Sequence, residues 1–481
     1  MGEDLREFIK EAEDWGECRM IEGANWDLEI GRIAELSLSV PEPPLLLFDD
    51  IKGYPRGYRI AVNPLNSSRR LARALGLPAE LTGIDRVKAW RDRISGFKSV
   101  PPVEVKTGPV KENIVVGEEI DLFKFPAPKW HEHDGGRYIG TADMIIQRDP
   151  DSGWVNVAIY RTMVCDRDSV GYHCVAGHHG ALIAQKYWDR GLSCPIAIVC
   201  GMAPQLFAAA NSVMPLGVSE YDFAGWIGNE PIEVVKGETV DLPIPAKAEI
   251  VLEGELVSPE DETVMEGPFG EWEGYYSGVR CPHPVVKIKA ILHRNDPIIL
   301  GAPMRVGAHD DEPLMTLDFS AQLWAELDRQ IPGVTGVSFV PAARRWPLLV
   351  VAIKQLYPGH AKQAALAAAG VYRGATYVGR FIMVVDDDID PTNIAEVLWA
   401  LGTRCDPKEQ IDFLSDRLSM ASDPRLEPEK REIGDYTTTT AIINACRPYS
   451  WIDQFPKPIK SSREVLEETR QKWGAFIFGD S

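Results

Sequence analysis

The 481-residue chain has no apolar run long enough to cross a bilayer; the longest candidate, residues 44–48 (PLLLF), is far too short. It also lacks a basic excess. Its 51 Lys and Arg face 71 Asp and Glu, a net charge of −20. That argues against nucleic acid and anionic membrane as partners, since nothing offsets phosphate charge. No basic region followed by an apolar core opens the chain, so no secretory signal is expected. Gly2 is followed by Leu5-Arg6 where a myristoylation site wants Ser or Thr, so no lipid anchor is expected either. The eight cysteines are scattered and form no C-x-x-C pair. This usage fits reduced thiols in a cytoplasmic protein, mostly as core filler. Repeats and low-complexity tracts are absent. What remains is an ordinary globular composition, with small-molecule chemistry left open.

A chain of this length exceeds one ordinary core, so two or three domains are expected. Residues 1–115 read as an N-terminal α/β domain. It has an amphipathic helix at 4–14, strands at 45–49 and 58–62, a helix from the Asn66-Ser67-Ser68 cap to Gly76, and another at 81–94. Pro101-Pro102 suits a linker. Residues 116–312 are strand-rich and punctuated by Gly and Pro. Strands are expected at 138–147, 154–161, 196–199, 248–256 and 285–293, with helices at 180–190 and 204–211. This is a barrel-like α+β domain. Alternation returns over 313–445, a C-terminal α/β domain. It has helices at 314–330, 360–369 and 391–401, the last with Pro391 in its first turn, and strands at 334–339, 348–353 and 381–385. Residues 446–481 form a tail that ends in an amphipathic helix at 462–473.

The chemistry concentrates in the middle region. The stretch 154–161 (WVNVAIYR) has the residues of a buried strand, yet carries a carboxamide, Asn156, and a guanidinium, Arg161. Taken alone, Asn156 caps a strand end and Arg161 reaches solvent. Gly177-His178-His179 opens a helix and can present a neutral nitrogen to a metal or a flavin-like ring; taken alone, adjacent histidines are more often surface or packing residues. Ser219 reads as an N-cap, with Glu220 favoured in the first turn by the helix dipole or as a ligand. Glu266-Gly267-Pro268-Phe269-Gly270-Glu271 is the most unusual segment. Two carboxylates flank a sharp turn amid Phe269, Trp272, Tyr275 and Tyr276. Two acids near one Arg can hold one ionised and one protonated. Asn156, His179 and Glu220 make an N/O donor set without thiolate. It suits Mn²⁺ or Mg²⁺ better than structural Zn²⁺.

In order and spacing, Asn156-x-x-x-x-Arg161, Gly177-His178-His179, Ser212 to Glu220 and the hexapeptide 266–271 resemble the UbiD family of decarboxylases. The later run Asp386-Asp387-Asp388-Ile389-Asp390-Pro391 resembles it too. The resemblance spans nearly the whole chain. It implies an N-terminal α/β domain, a central split β-barrel that binds prenylated FMN, a C-terminal α/β domain, and a trailing helix for oligomer contacts. By motif, Asn156, His179 and Glu220 would hold Mn²⁺ on the cofactor phosphate, with K⁺ nearby. Ile159, Tyr160, Arg161, His173, Cys174, Val175, His178 and His179 would lie along the flavin. Ser212, Met214 and Pro215 would face its other edge, and Arg380 its phosphate. Arg161, Glu266 and Glu271 would be the catalytic network, with Glu271 the proton donor. His173 and His178 tilt the pocket towards a hydroxylated or nitrogen-containing aromatic acid.

The implied reaction is reversible, non-oxidative decarboxylation of an aromatic, heteroaromatic or α,β-unsaturated carboxylic acid through a covalent adduct with prenylated FMN. A prenyltransferase would supply the cofactor, and the chain would form a homodimer or homohexamer. Two rivals stand beside it. One is a metal-dependent hydrolase using Asn156, His179 and Glu220 to activate water. The other is a non-catalytic flavin-binding subunit of a larger carboxylase. One geometric demand follows. Residues five apart on a regular strand face opposite sides, so 154–161 must twist, bulge or end against a ligand that wraps it.

Overall fold

The structure is a computed structural model. It describes residues 4–175, 177–276, 278–306, 312–343, 345–371, 379–459 and 461–478. The first helix, Leu5–Asp14, starts at a reciprocal cap in which Asp4 accepts from the Glu7 N–H and Glu7 accepts from the Asp4 N–H. It buries Leu5, Phe8, Ile9 and Ala12. Beneath it lies a four-stranded sheet in the order Cys18–Glu22, Leu45–Asp49, Arg59–Val62, Ile298–Leu300. The fourth strand comes from the end of the stretch expected in the central region. It pairs in parallel with Arg59–Val62, so the first and second units interleave.

The central unit is a ten-stranded sheet, antiparallel at every pairing. Its main path runs Arg137–Gly140, Thr162–Asp166, Ser169–Tyr172, Cys281–His293, Ile250–Leu256, Cys194–Val199, Met144–Arg148, Val155–Ala158. Thr263–Glu266 and Asn113–Val116 also pair with the long strand Cys281–His293. Val155–Ala158 is one edge of this path, and Thr162–Asp166 lies one strand from the other. Four residue steps join them, and an extended chain covers only about 14 Å in four steps. The sheet therefore curls until its edges approach, as a barrel with an open seam.

Two expected strands are corrected by this curl. Residues 138–147 and 154–161 each read as one strand. In the structure the first is two strands, Arg137–Gly140 and Met144–Arg148, broken at 141–143; the second ends at Ala158, and 159–161 is the crossing before Thr162–Asp166. Both breaks are places where the chain crosses the seam and changes sheet neighbours. The composition is apolar on both sides of each break, so the pattern carried no sign of the crossing. Thr162 donates to the Asp143 carboxylate at 3.2 Å and ties one crossing to the other.

The C-terminal unit is a five-stranded sheet ordered Val334–Val340, Arg345–Ile353, Phe381–Asp386, Thr437–Ala445, Ile411–Leu418. Its last two strands escaped the sequence reading. Helix Glu312–Asp328 packs this unit onto helix Gly83–Ile94 of the first, where the Trp90 indole donates to Asp318 at 2.8 Å. The helix expected at 391–401 starts three residues later, as Ile394–Arg404. Asn393 is its N-cap and accepts from the Ala395 and Glu396 N–H groups, which leaves Pro391 in the preceding turn. The trailing helix Arg463–Phe478 is exposed along its described length except at Gly474. Replacing Asn393 by Ala should cost about 1 kcal/mol by loss of the cap, lowering the melting temperature by roughly 2–4 °C in calorimetry. Pro391→Ala should leave helix content by circular dichroism unchanged.

Candidate active site

The seam crossing at 159–161 is the base of the site. Arg161 leaves it with its side chain only 12% exposed. Its Nε donates to Glu266 Oε1 at 2.9 Å and its Nη2 to Glu266 Oε2 at 3.0 Å, a two-pronged contact. Its Nη1 donates to Glu271 Oε1. The guanidinium also lies 5.2 Å from the centre of the Phe269 ring. One arginine thus holds both ends of the hexapeptide. Glu266 ends the strand Thr263–Glu266, and Gly267, at φ +80°, turns the chain away. Gly135 meets this turn so closely that a Cβ there would lie 1.9 Å from the Gly267 carbonyl oxygen.

Burial pushes the Glu266 carboxyl up, but the hydrogen bonds and charge of Arg161 outweigh it and hold the group below its usual range. Arg161 is raised: burial opposes its charge, and Glu271 and Glu266 more than offset that. His173 donates its backbone N–H to the Arg161 carbonyl at 3.3 Å. Its ring lies 4.8 Å from that of His283, and its Nδ1 is buried without a partner. Burial, then the Arg161 charge, push His173 down to about 3. His283 is also lowered by burial, and its Nε2 is 3.5 Å from Glu266 Oε2. His173, Glu266 and His283 each bring a ligand atom within 4.8 Å of the others, but the adjacent guanidinium disfavours a cation there.

The second cluster gathers around Val155–Ala158. Asn156 is 1% exposed, and neither its Oδ1 nor its Nδ2 has a partner. A buried carboxamide with both polar atoms unsatisfied is costly unless a ligand meets it. Glu220 begins helix Glu220–Gly228 behind the Ser219 cap, and its Oε2 accepts from the Val157 N–H at 2.7 Å. Burial raises its carboxyl to about 8. His179 begins helix His179–Trp188 and meets the Trp154 ring edge-on at 5.1 Å. Burial keeps His178 and His179 below their ordinary range, so both are neutral at pH 7. The Gly180 N–H donates to Tyr160 Oη at 3.2 Å, which seats the two histidines on the residue before Arg161. The predicted twist is therefore a strand end. Asn156 precedes it, Arg161 follows it, and Tyr160 packs between.

The other expected residues are placed as follows. Ser212 ends helix Pro204–Asn211 and donates to the Ala208 carbonyl at 3.1 Å; Met214 is buried and Pro215 exposed. Ile159 packs on the core, Cys174 is half-buried, and Val175 is exposed. Arg380 lies in the C-terminal unit. Its guanidinium is taken by Asp423 of the same unit, a carboxylate that spacing alone did not reveal. Three neighbours were missed. Tyr138 donates to Glu266 Oε1 at 2.9 Å. His283 shares its strand face with Cys281, whose Sγ is 3.2 Å from the ring Nε2. Glu273 is buried, accepts from Ser422, and burial raises it to about 8. A third carboxylate so near the hexapeptide was the one available signal; Tyr138 and His283 had none.

A curled split barrel thus stands between two α/β units and carries a buried arginine held between two glutamates. Three family models match in sequence. They are the N-terminal, Rift-related and C-terminal domains of 3-octaprenyl-4-hydroxybenzoate carboxy-lyase, over residues 9–90, 102–306 and 314–445. The chain belongs to the UbiD family of decarboxylases. It is 32% identical to a phenolic acid decarboxylase of Bacillus subtilis, covering 91% of this chain and 93% of that protein. It is 30% identical to a pyrrole-2-carboxylic acid decarboxylase of Pseudomonas aeruginosa, covering 99% of each. Among solved structures it resembles the UbiD-class enzyme HmfF of Pelotomaculum thermopropionicum. The FMN complex matches with TM-score 0.84 and 29% identity over 97% of this chain and 98% of that one. An evolved dimeric form in complex with prFMN matches with TM-score 0.80 and 28% identity over 96% and 98%.

Gly135→Ala should displace the Gly267 carbonyl and with it Glu266. Activity should fall by about tenfold or more, on the scale of a 1 Å misplacement. Gly402→Ala, exposed in helix Ile394–Arg404 with nothing within 4 Å of the added methyl, serves as the control in the same assay.

Proposed function

We propose that this decarboxylase acts on a small aromatic or heteroaromatic carboxylic acid and works with prenylated FMN anchored through a divalent cation. The observation that carries the reading is the buried Glu266–Arg161–Glu271 array. The phenolic and pyrrole-2-carboxylic acid relatives support the substrate class, and the prFMN-bound neighbour supports the cofactor. The residues present fit such a group. Asn156 has two unsatisfied buried atoms, Glu220 a buried carboxyl that a cation would ionise, and His179 a neutral ring. These three would hold Mn²⁺, or Mg²⁺ in its place, with K⁺ alongside. His178 and Tyr160 on one side, and Met214 and Pro215 on the other, would flank the ring system.

Prenylated FMN, when bound, supplies the electron sink that lets the carboxyl carbon leave as CO₂. The chain does the rest. Arg161 orients the substrate carboxylate with a fork that Glu266 keeps aimed. Glu271 delivers a proton to the carbon that loses CO₂, so the balance is carboxylate plus one proton to product plus CO₂, and the reverse for carboxylation. Buried Phe269, packed on Tyr138, excludes water from this step. Neutral His173 and His178 offer hydrogen bonds to a ring hydroxyl or ring N–H. A separate prenyltransferase would provide the cofactor. The exposed Trp473, Phe476 and Phe478 of the trailing helix favour a second copy of the chain as partner, in a dimer or hexamer. No described helix is long and apolar enough to cross a membrane, and the free cysteines suit the cytoplasm.

Glu271→Gln should lower kcat by about 10²-fold or more while cofactor content, read from the flavin absorbance, stays intact. Turnover equal to wild type would end the proton-donor assignment. Asn156→Ala should lose bound Mn²⁺ by elemental analysis and most of the cofactor with it. Retention of both would remove Asn156 from the metal set.

A further inference from the structure

Glu266 and Glu271 are both glutamates on one arginine, yet their surroundings differ. Every short contact to Glu266 is a donor. Oε1 receives the Arg161 Nε–H and the Tyr138 hydroxyl, each at 2.9 Å, and Oε2 receives Arg161 Nη2 at 3.0 Å. Tyr138 is fully buried, and its ring packs at 4.4 Å on Phe269, the ring beneath the guanidinium. Its strand, Arg137–Gly140, pairs with Thr162–Asp166, which begins at the residue after Arg161, so sheet register fixes the hydroxyl in place. Without that donor, Glu266 Oε1 would depend on Arg161 Nε alone. Glu266 would then bind a proton more readily and grip Arg161 less well.

We propose that Tyr138 is a positioning residue that commits Glu266 to holding Arg161 and so leaves proton delivery to Glu271. The proposal rests on the decarboxylase reading of the array but adds a residue that the reading does not need. Among the described residues, the charged and titratable groups facing Glu266 are Arg161 from the seam crossing, Tyr138 from its strand, His173 after the strand Ser169–Tyr172, His283 and Cys281 from Cys281–His293, and Cys165 from Thr162–Asp166, with Glu271 on its own loop. Burial holds both histidines below their ordinary range, so Arg161 is the dominant donor to Glu266 and Tyr138 the further hydrogen-bond donor at its Oε1.

The test is Tyr138→Phe, which keeps the ring and removes only the hydroxyl. In enzyme loaded with prenylated FMN, kcat should fall about tenfold with KM within twofold and flavin absorbance unchanged. The acid limb of the pH–rate profile should move upward, because Glu266 would protonate at higher pH. In a Glu266→Gln background the same substitution should add almost nothing. A second readout needs no cofactor. A carboxylate held below its usual range contributes stability that is present at neutral pH and lost as pH falls through its folded-state value. The melting-temperature gap between wild type and Tyr138→Phe should therefore be open at pH 7 and close as pH falls through the carboxylate range. An unchanged acid limb, an additive loss in the Glu266→Gln background, or a pH-independent melting gap would each overturn the proposal. Full activity of Glu271→Gln would instead overturn the underlying reading and leave the melting gap to judge Tyr138 alone.

Discussion

The guanidinium of Arg161 is the interaction on which the site depends. It sits nearly buried in a protein of net charge −20, where a lone cation would be costly and a lone carboxylate no less so. Glu266 and Glu271 resolve both costs together. Removing one partner of a buried pair typically costs about 3–5 kcal/mol, since the remaining charge has nowhere to go. The array is therefore rigid, and rigidity is what a proton-transfer step at a fixed carbon requires. The hexapeptide can turn as sharply as it does because Gly135 lets the Gly267 carbonyl approach and Phe269 fills the space beneath Arg161.

Curling of the central sheet is what makes this contact possible. Arg161 lies in a three-residue crossing of the barrel seam, and a second crossing at 141–143 runs beside it, joined through Asp143 and Thr162. A crossing residue is freed from sheet pairing, so its side chain can point away from the alternation of a strand. That is how Asn156, still in the strand, and Arg161, beyond it, serve two different clusters only a few residues apart. Burial then sorts the titratable groups. It holds His173, His178 and His179 below their ordinary range and raises the Glu220 carboxyl to about 8. The same principle sets Glu273 apart, an acid buried beside Ser422 where the loop after the hexapeptide touches the C-terminal unit.

Much of this was legible in the chain itself. The Asp4, Ser67 and Ser219 caps are local, and each helix begins where its cap says. Helix Pro204–Asn211 and strand Leu45–Asp49 likewise follow from local pattern. Where local signals compete, the reading slipped. Pro391 looked like a first-turn proline, but the stronger Asn393 cap set the helix start. The pattern joins 138–147 into one strand and carries 154–161 past its end at Ala158, because an apolar run looks the same on either side of a seam crossing. The pairing of Arg380 with Asp423, 43 residues away, is likewise invisible to local pattern.

The sequence by itself determined the chemistry available: an N/O donor set, two carboxylates around a tight turn, one arginine in an apolar stretch, and a family pattern joining them. Those are properties of residue type and short spacing. Only the tertiary structure decided which groups meet. Glu266 and Glu271 reach Arg161 from 105 and 110 residues away, and Tyr138 reaches Glu266 across 128. Contacts over such separations are set by sheet register and by the closing of the seam, and neither leaves a mark in the local order of amino acids.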